Sequence, residues 1–178
     1  MFFQKKIKLN LGCGHDIRNG WLNFDQDPVT DDVIKLDLKC QNSVSKLKEY
    51  KPDIIELNHV IGYFHYQEGK ALIENLYKAL NPNGVIIIEY PDAIKVAKQM
   101  TKAINFDEYF EAMRAMYAFD VSDLSKEVYD IKGYVFGWTH NLLSDALSQT
   151  GYCNIKILLP KTHGKRFQRD TRIEARKK

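Results

Sequence analysis

The chain has 178 residues, 44% of them hydrophobic and 28% charged, with a net charge of +3, which suits one globular domain able to close its own core. Three cysteines lie far apart, Cys13, Cys40 and Cys153, with no C-x-x-C pair, which argues against a disulfide scaffold, a thiolate metal clip and a redox dithiol. No signal-like apolar run opens the chain and no stretch nears the roughly 18 apolar residues of a membrane span, so a protein of the reducing cytoplasm with no membrane span is expected.

Apolar runs bounded by turn residues predict strands over 7–11, 21–25, 33–37, 53–58 and 85–90. Between the fourth and fifth, residues 67–80 carry apolar side chains at 72, 73, 76, 77 and 80, a helical spacing, and stop at Asn81-Pro82-Asn83-Gly84. Strand, helix and strand in that order predict a parallel sheet covered on both faces, an α/β three-layer sandwich of Rossmann-like type with right-handed crossovers. From about 92 to 138 the pattern is helical and aromatic, which reads as an insertion within a single domain spanning 1–178. Thr139 can cap a helix through about Gln149, Thr150-Gly151 ends it, and 152–159 and 171–176 read as two closing strands. No internal repeat or linker marks a second domain.

The first predicted strand, Lys8-Leu9-Asn10-Leu11, runs straight into Gly12-Cys13-Gly14. Two glycines flanking one residue after a strand let a cofactor lie on bare backbone and permit dihedrals that other residues resist. The third glycine of a dinucleotide fingerprint is missing, since His15-Asp16-Ile17 follow, and the loop alone leaves the ligand open. The second strand ends in Asp25, whose two oxygens suit a ribose diol, although Gln26-Asp27-Pro28 next to it also fits a surface turn. The third strand brings Asp37, an acceptor suited to an adenine amino group, beside Leu38. A nicotinamide dehydrogenase would place its acid about 20 residues on, after a complete helix, and Asp25 arrives too early for that.

These residues resemble the class I S-adenosylmethionine-dependent methyltransferases, in particular the small bacterial and viral type that opens L-N-L-G-C-G and continues G-W-L-N-x-D. The match lies in Leu9-Asn10-Leu11-Gly12-Cys13-Gly14 and Gly20-Trp21-Leu22-Asn23-Phe24-Asp25, and continues in Asp37-Leu38, Asp53-Ile54-Ile55 and Asn58-His59-Val60. It extends through Leu80-Asn81-Pro82-Asn83-Gly84 and Glu89-Tyr90-Pro91-Asp92 to Arg169-Asp170 and Arg172-Ile173-Glu174, nearly the whole chain. The resemblance implies a seven-stranded sheet of order 3-2-1-4-5-7-6 with the last strand antiparallel, and S-adenosylmethionine bound across the carboxyl ends of the first strands. It places Leu11, Gly12, Cys13 and Gly14 at the methionine part of the cofactor, Asp25 and Gln26 at the ribose, Asp37 and Leu38 at the adenine, and Asn58 and His59 at the sulfonium end. Relatives often carry a Glu-His pair after the fourth strand, where this chain has Gly62-Tyr63; the acidic function has moved, the substrate differs, or catalysis is lost.

Methyl transfer from a sulfonium is an in-line displacement that needs water excluded, the acceptor aligned and, for a hydroxyl, one base. His65, after the fourth strand, and His140, at the start of the penultimate helix, are the candidate bases, with Tyr63 as a hydrogen-bonding partner of the acceptor. The competing readings put His65 in an aromatic cluster with Tyr63, Phe64 and Tyr66, and His140 in a capped first helical turn. His15 and His59 read as cofactor contact or packing, and His163 as solvated. The stripe Phe106, Tyr109, Phe110, Met113, Met116 and Tyr117 has helical spacing and is expected to bury against the sheet, while Gly133-Tyr134-Val135-Phe136-Gly137-Trp138 is a candidate lid; half of this aromatic-rich group, which also includes Phe119, should be ordinary core.

An O-methyltransferase acting on a small molecule or a glycan sugar is the expected function, with no metal-ligand spacing in view. From Lys161 onward eight Lys/Arg face two acids, an excess larger than the net charge, so the rest of the chain is net acidic. That tail would suit a nucleic-acid acceptor, the alternative reading, although short charge runs are ordinarily solvated. A non-catalytic S-adenosylmethionine-binding protein is the third possibility.

Overall fold

A computed structural model of the chain describes residues 6–118, 133–161 and 169–178. Seven strands form one sheet: β1 (Lys8–Leu11), β2 (Leu22–Asp25), β3 (Val33–Lys35), β4 (Ile54–Asn58), β5 (Val85–Pro91), β6 (Tyr152–Leu158) and β7 (Asp170–Lys177). Their spatial order is β3-β2-β1-β4-β5-β7-β6, parallel from β3 to β5, with β7 antiparallel to both its neighbours. This is the Rossmann-like α/β arrangement expected from the sequence, and the order reverses at β1 and β4, where a crevice opens at the strands' carboxyl ends.

The central strands carry the core. Leu9, Leu11, Ile55, Leu57, Ile86 and Ile88 are all buried, removed from water on both sides of the sheet as parallel strands require. Helix α2 (Tyr66–Ala79) buries Leu72, Ile73, Leu76 and Ala79 along one face, the stripe its spacing predicted. Behind it, Asn83 at φ +63 and Gly84 turn the chain, with the Gly84 amide donating to the Asn81 carbonyl at 2.9 Å. The last helix among the described residues, His140–Thr150, starts where Thr139 accepts the Leu142 amide and stops at Gly151, φ +108, a left-handed cap that glycine adopts without strain.

Three features differ from the sequence reading. Residues Gln41–Ser45 form a short helix, α1, continued by a 3-10 turn over Lys46–Tyr50, which packs Val44 and Leu47 into the core at helical spacing. The aromatic stripe of the helix Phe106–Tyr117, α4 after α3 (Ala93–Met100), does not bury against the sheet: Phe106, Tyr109 and Tyr117 are exposed, and its buried residues are the small Ala112 and Ala115, packed with Val96 and Met116 of the α3–α4 pair. The 133–138 segment is no loose lid. Its Val135 and Phe136 amides donate to the Gly62 carbonyl at 2.9 and 3.3 Å, and Trp138, fully buried in the main core, donates Nε1–H to the Ile61 carbonyl at 3.0 Å. Phe119 and His163 lie outside the described residues. Among the described residues no helix is long and apolar enough to cross a membrane.

Candidate active site

The loop after β1 is shaped by two left-handed glycines, Gly12 at φ +65 and Gly14 at φ +49. A Cβ on Gly12 would run into the Val60 side chain, whereas the space beside Gly14 is open; the first glycine serves close packing, and the second bares backbone to the crevice. The Cys13 amide extends the β1–β2 ladder by donating to the Phe24 carbonyl at 3.0 Å. Asp25, at the end of β2, closes the loop: Oδ2 accepts the Gly14 amide at 2.8 Å and Oδ1 accepts the Asp27 amide at 3.0 Å. Each oxygen keeps a further lone pair for a ligand hydroxyl.

The link from Gly14 to Trp21 lacks the helix usual between the first two strands, and two buried asparagines replace it. Asn10 donates to the Asp16 carbonyl at 2.7 Å and to Asn23 Oδ1 at 3.1 Å, and the same Asn23 oxygen accepts the Arg18 amide at 3.1 Å. Asparagine in an apolar strand is costly unless satisfied, which is the signal by which Asn10 and Asn23 could have been singled out.

Around these groups lies a cavity of about 740 Å³, within the range of small-ligand sites. Of the residues expected at a cofactor, Gly12, Gly14, Asp25, Gln26, Asp37, Leu38, Asn58 and His59 line it. Leu11 and Cys13 do not: Leu11 is buried beneath the loop, and burial, with Asp25 beside it, pushes the Cys13 thiol up, so it stays neutral. Strand β3 stops at Lys35, and Asp37 sits in the turn beyond, where Oδ1 accepts the Lys39 amide at 2.8 Å.

At the other end of the cavity, Tyr63 lines the wall, and burial together with the Asp25 charge raises its phenol, keeping it protonated. Its ring meets Tyr134 edge-on at 4.8 Å, and Tyr134 occupies the space a side chain at position 62 would need, a steric reason for glycine where relatives often carry glutamate. His65 and His140 are not among the cavity-lining residues. His65 is exposed as the N-cap of α2, its amide donating to Glu68 at 3.0 Å. His140 is held in its helical turn by buried Asp92, which accepts its amide at 2.9 Å and lies 3.4 Å from its Nδ1.

Beneath this end runs a buried ionic network. Arg172 of β7 lies 3.0 Å from both Glu56 of β4 and Glu89 of β5 and reaches Asn58 at 3.4 Å; Arg18 approaches Glu56 at 2.9 Å. Burial alone would raise the Glu56 carboxyl, but Arg172 and Arg18 outweigh it and hold it below its ordinary value. The sequence hint was a glutamate inside each of the otherwise apolar strands β4 and β5.

A model of the "Methyltransferase domain" family matches residues 3–129, most of the chain. No curated protein is similar enough in sequence to match. Among solved structures, a putative S-adenosylmethionine-dependent methyltransferase from Listeria monocytogenes is 15% identical at a TM-score of 0.60, covering 98% of this chain and 92% of its own. A possible exported protein from Bordetella parapertussis is 12% identical at a TM-score of 0.60, covering 98% of this chain and 62% of its own. An O-methyltransferase family protein from Burkholderia thailandensis is 14% identical at a TM-score of 0.58, covering 97% of this chain and 51% of its own; the chain thus spans only about half to three-fifths of the length of several structures it resembles. These likenesses establish the fold, and the family match does the rest: the chain belongs to the methyltransferase domain family.

Proposed function

We propose that this chain holds S-adenosylmethionine in the cavity above β1–β4 and passes its methyl group to a hydroxyl of a small molecule or a glycan sugar. The observation that carries the reading is the convergence of the Gly12–Gly14 backbone with the Asp25 and Asp37 carboxylates on one cavity at the reversal of strand order. The cofactor supplies an electrophilic methyl on a sulfonium. Gly14, with Gly12, offers backbone to its methionine part, packed from below by Leu11 and Cys13. Asp25 with Gln26 takes the ribose, Asp37 with Leu38 the adenine, and Asn58 with His59 closes the sulfonium end. Tyr63, kept protonated, donates a hydrogen bond to the acceptor instead of taking its proton, and its ring face suits a sugar. All three cysteines are free, which suits a reducing cytoplasm.

The tail favours the small acceptor over nucleic acid. Of its cations, Arg172 is buried against carboxylates, Arg169 lies 3.4 Å from Asp170, and Arg176 and Lys177 each donate to a backbone carbonyl at 2.8 Å, leaving fewer for phosphate. Incubation with methyl-labelled S-adenosylmethionine and a panel of nucleotide sugars, simple alcohols and RNA tests the reading. Label on a sugar or alcohol supports it; label on RNA alone, falling steeply with salt, replaces it. Binding of cofactor with no transfer to any acceptor would indicate a non-catalytic binder.

A further inference from the structure

His59 has an unusual seat. It follows the last residue of β4 at φ +57, a left-handed conformation uncommon for a residue with a side chain. Two hydrogen bonds pin it there: its amide donates to the Glu89 carbonyl at 2.7 Å, and the Tyr134 hydroxyl donates to its carbonyl at 3.1 Å. Backbone held in a sparse region by its surroundings is a frequent mark of working sites. The reversal carries the imidazole across the strand end, where Nε2 lies 3.7 Å from Oδ2 of Asp170, a fully buried carboxylate at the start of β7. The same residue lines the cavity, and among the described lining residues it is the one imidazole.

We propose that His59 is the general base of the transfer and that Asp170 is its positioning residue, which marks the acceptor as one that must lose a proton, a hydroxyl. Resting on the cofactor reading above, it moves the base away from His65 and His140, neither of which lines the cavity. The Asp170 charge, 3.7 Å from Nε2 and beyond direct hydrogen-bond reach, favours the tautomer that carries its proton on Nε2, which leaves the Nδ1 lone pair to meet the acceptor. Nδ1 takes the hydroxyl proton as the acceptor oxygen bonds to the methyl carbon; the carbon–sulfur pair stays on sulfur, leaving a neutral thioether, and the imidazolium later releases its proton to water. An imidazole with one nitrogen oriented by a buried carboxylate is the arrangement that fixes tautomer in other proton-transfer sites.

Among the described residues, two carboxylates face the ring. Glu89 and Asp170 each bring an oxygen close enough to the ring that the three donor atoms lie within 4.8 Å of one another. Arg172 at 3.0 Å from Glu89 and Arg169 at 3.4 Å from Asp170 supply positive charge to both carboxylates, and the Glu89 oxygen also accepts the Lys161 amide at 2.9 Å. The trio is therefore an ion-pair network. Tyr134, its phenol raised by burial, adds no charge.

Nitrogen-resolved NMR titration of the five histidines in the full-length chain, with S-adenosylhomocysteine and then S-adenosylmethionine, tests this without knowing the acceptor. The Gly12 and Gly14 amide shifts report cofactor binding separately. The expected result is an Nε2–H tautomer for neutral His59, and a titration midpoint lower beside the cationic sulfonium than beside the neutral thioether. Asp170→Asn should lower proton affinity at His59 by about tenfold and leave cofactor affinity within about twofold. An Nδ1–H tautomer, or equal midpoints with both ligands while the glycine amides report binding, overturns the proposal even where Asp170→Asn fails to fold. If neither ligand moves those amides, the cofactor reading falls and takes this inference with it.

Discussion

Gly14 reaches Asp25 across eleven positions of chain, whereas Arg172 reaches Asn58 across 114. The two ends of one cavity are thus built by opposite means. Over β1–β3 the wall is backbone bent by glycine and tied by carboxylates a few residues away. At β4 the wall is backed by side chains delivered from afar: Trp138 to Ile61 across 77 positions, Tyr134 to His59 across 75, and Arg172 to Glu89 across 83. Substitutions of the carboxylates at the first end should therefore cost ligand affinity with little loss of fold, and substitutions at the second should cost stability first.

The largest expected effect tests the distant end. Arg172→Leu leaves Glu56 and Glu89 with their main buried countercharge removed, a loss of about 3–5 kcal/mol readable by urea unfolding; a loss below about 1 kcal/mol would mean that the network does not hold this end together. Next comes Gly12→Val, which forces a branched side chain into φ +65 and against Val60. It should cost about 1–3 kcal/mol and abolish S-adenosylhomocysteine binding by calorimetry, and retained affinity would detach the loop from the cavity. Asp25→Asn sharpens the contrast: its remaining oxygen can still accept one loop amide, so the urea midpoint should barely move while cofactor affinity falls by about 1.5–3 kcal/mol. Unfolding comparable to that of Arg172→Leu would erase the distinction between the ends.

The smallest effect is one of pH. The Glu56 carboxyl sits lower in the folded chain than unfolded, so the native state binds fewer protons. Its stabilisation is present above the unfolded value and lost as pH falls through the folded one. Melting temperatures measured from neutral pH downward should drop on the acid side, less so for Glu56→Gln; parallel curves for the two proteins would remove Glu56 from the network's ledger.

The same contrast explains what could be read from residue order. The strands, the α2 stripe and the Gly12–Gly14 loop were legible because each is set by a period or by neighbours in the chain. Helix α1 escaped notice because its five residues continue as a tighter turn, hiding the spacing of Val44 and Leu47. The docking of 133–138 was invisible because its partners, Ile61 and Gly62, belong to another element. Aromatic spacing on α4 misled for a related reason: the face turned to the neighbouring helix α3 is the one that carries the small Ala112 and Ala115, packed on Val96, and Phe106, Tyr109 and Tyr117 are left exposed. For the site, loop and carboxylates announced themselves, while Glu56 and Glu89 were only interruptions in apolar strands, and Arg172 one charge among several in β7, until topology placed them side by side.

Isothermal titration of the purified chain with S-adenosylhomocysteine, S-adenosylmethionine and NAD tests the central claim most directly. The account predicts saturable one-to-one binding of both sulfur ligands, weakened by Asp25→Asn, and none of NAD; silence from both sulfur ligands, or binding of NAD in their place, would contradict it.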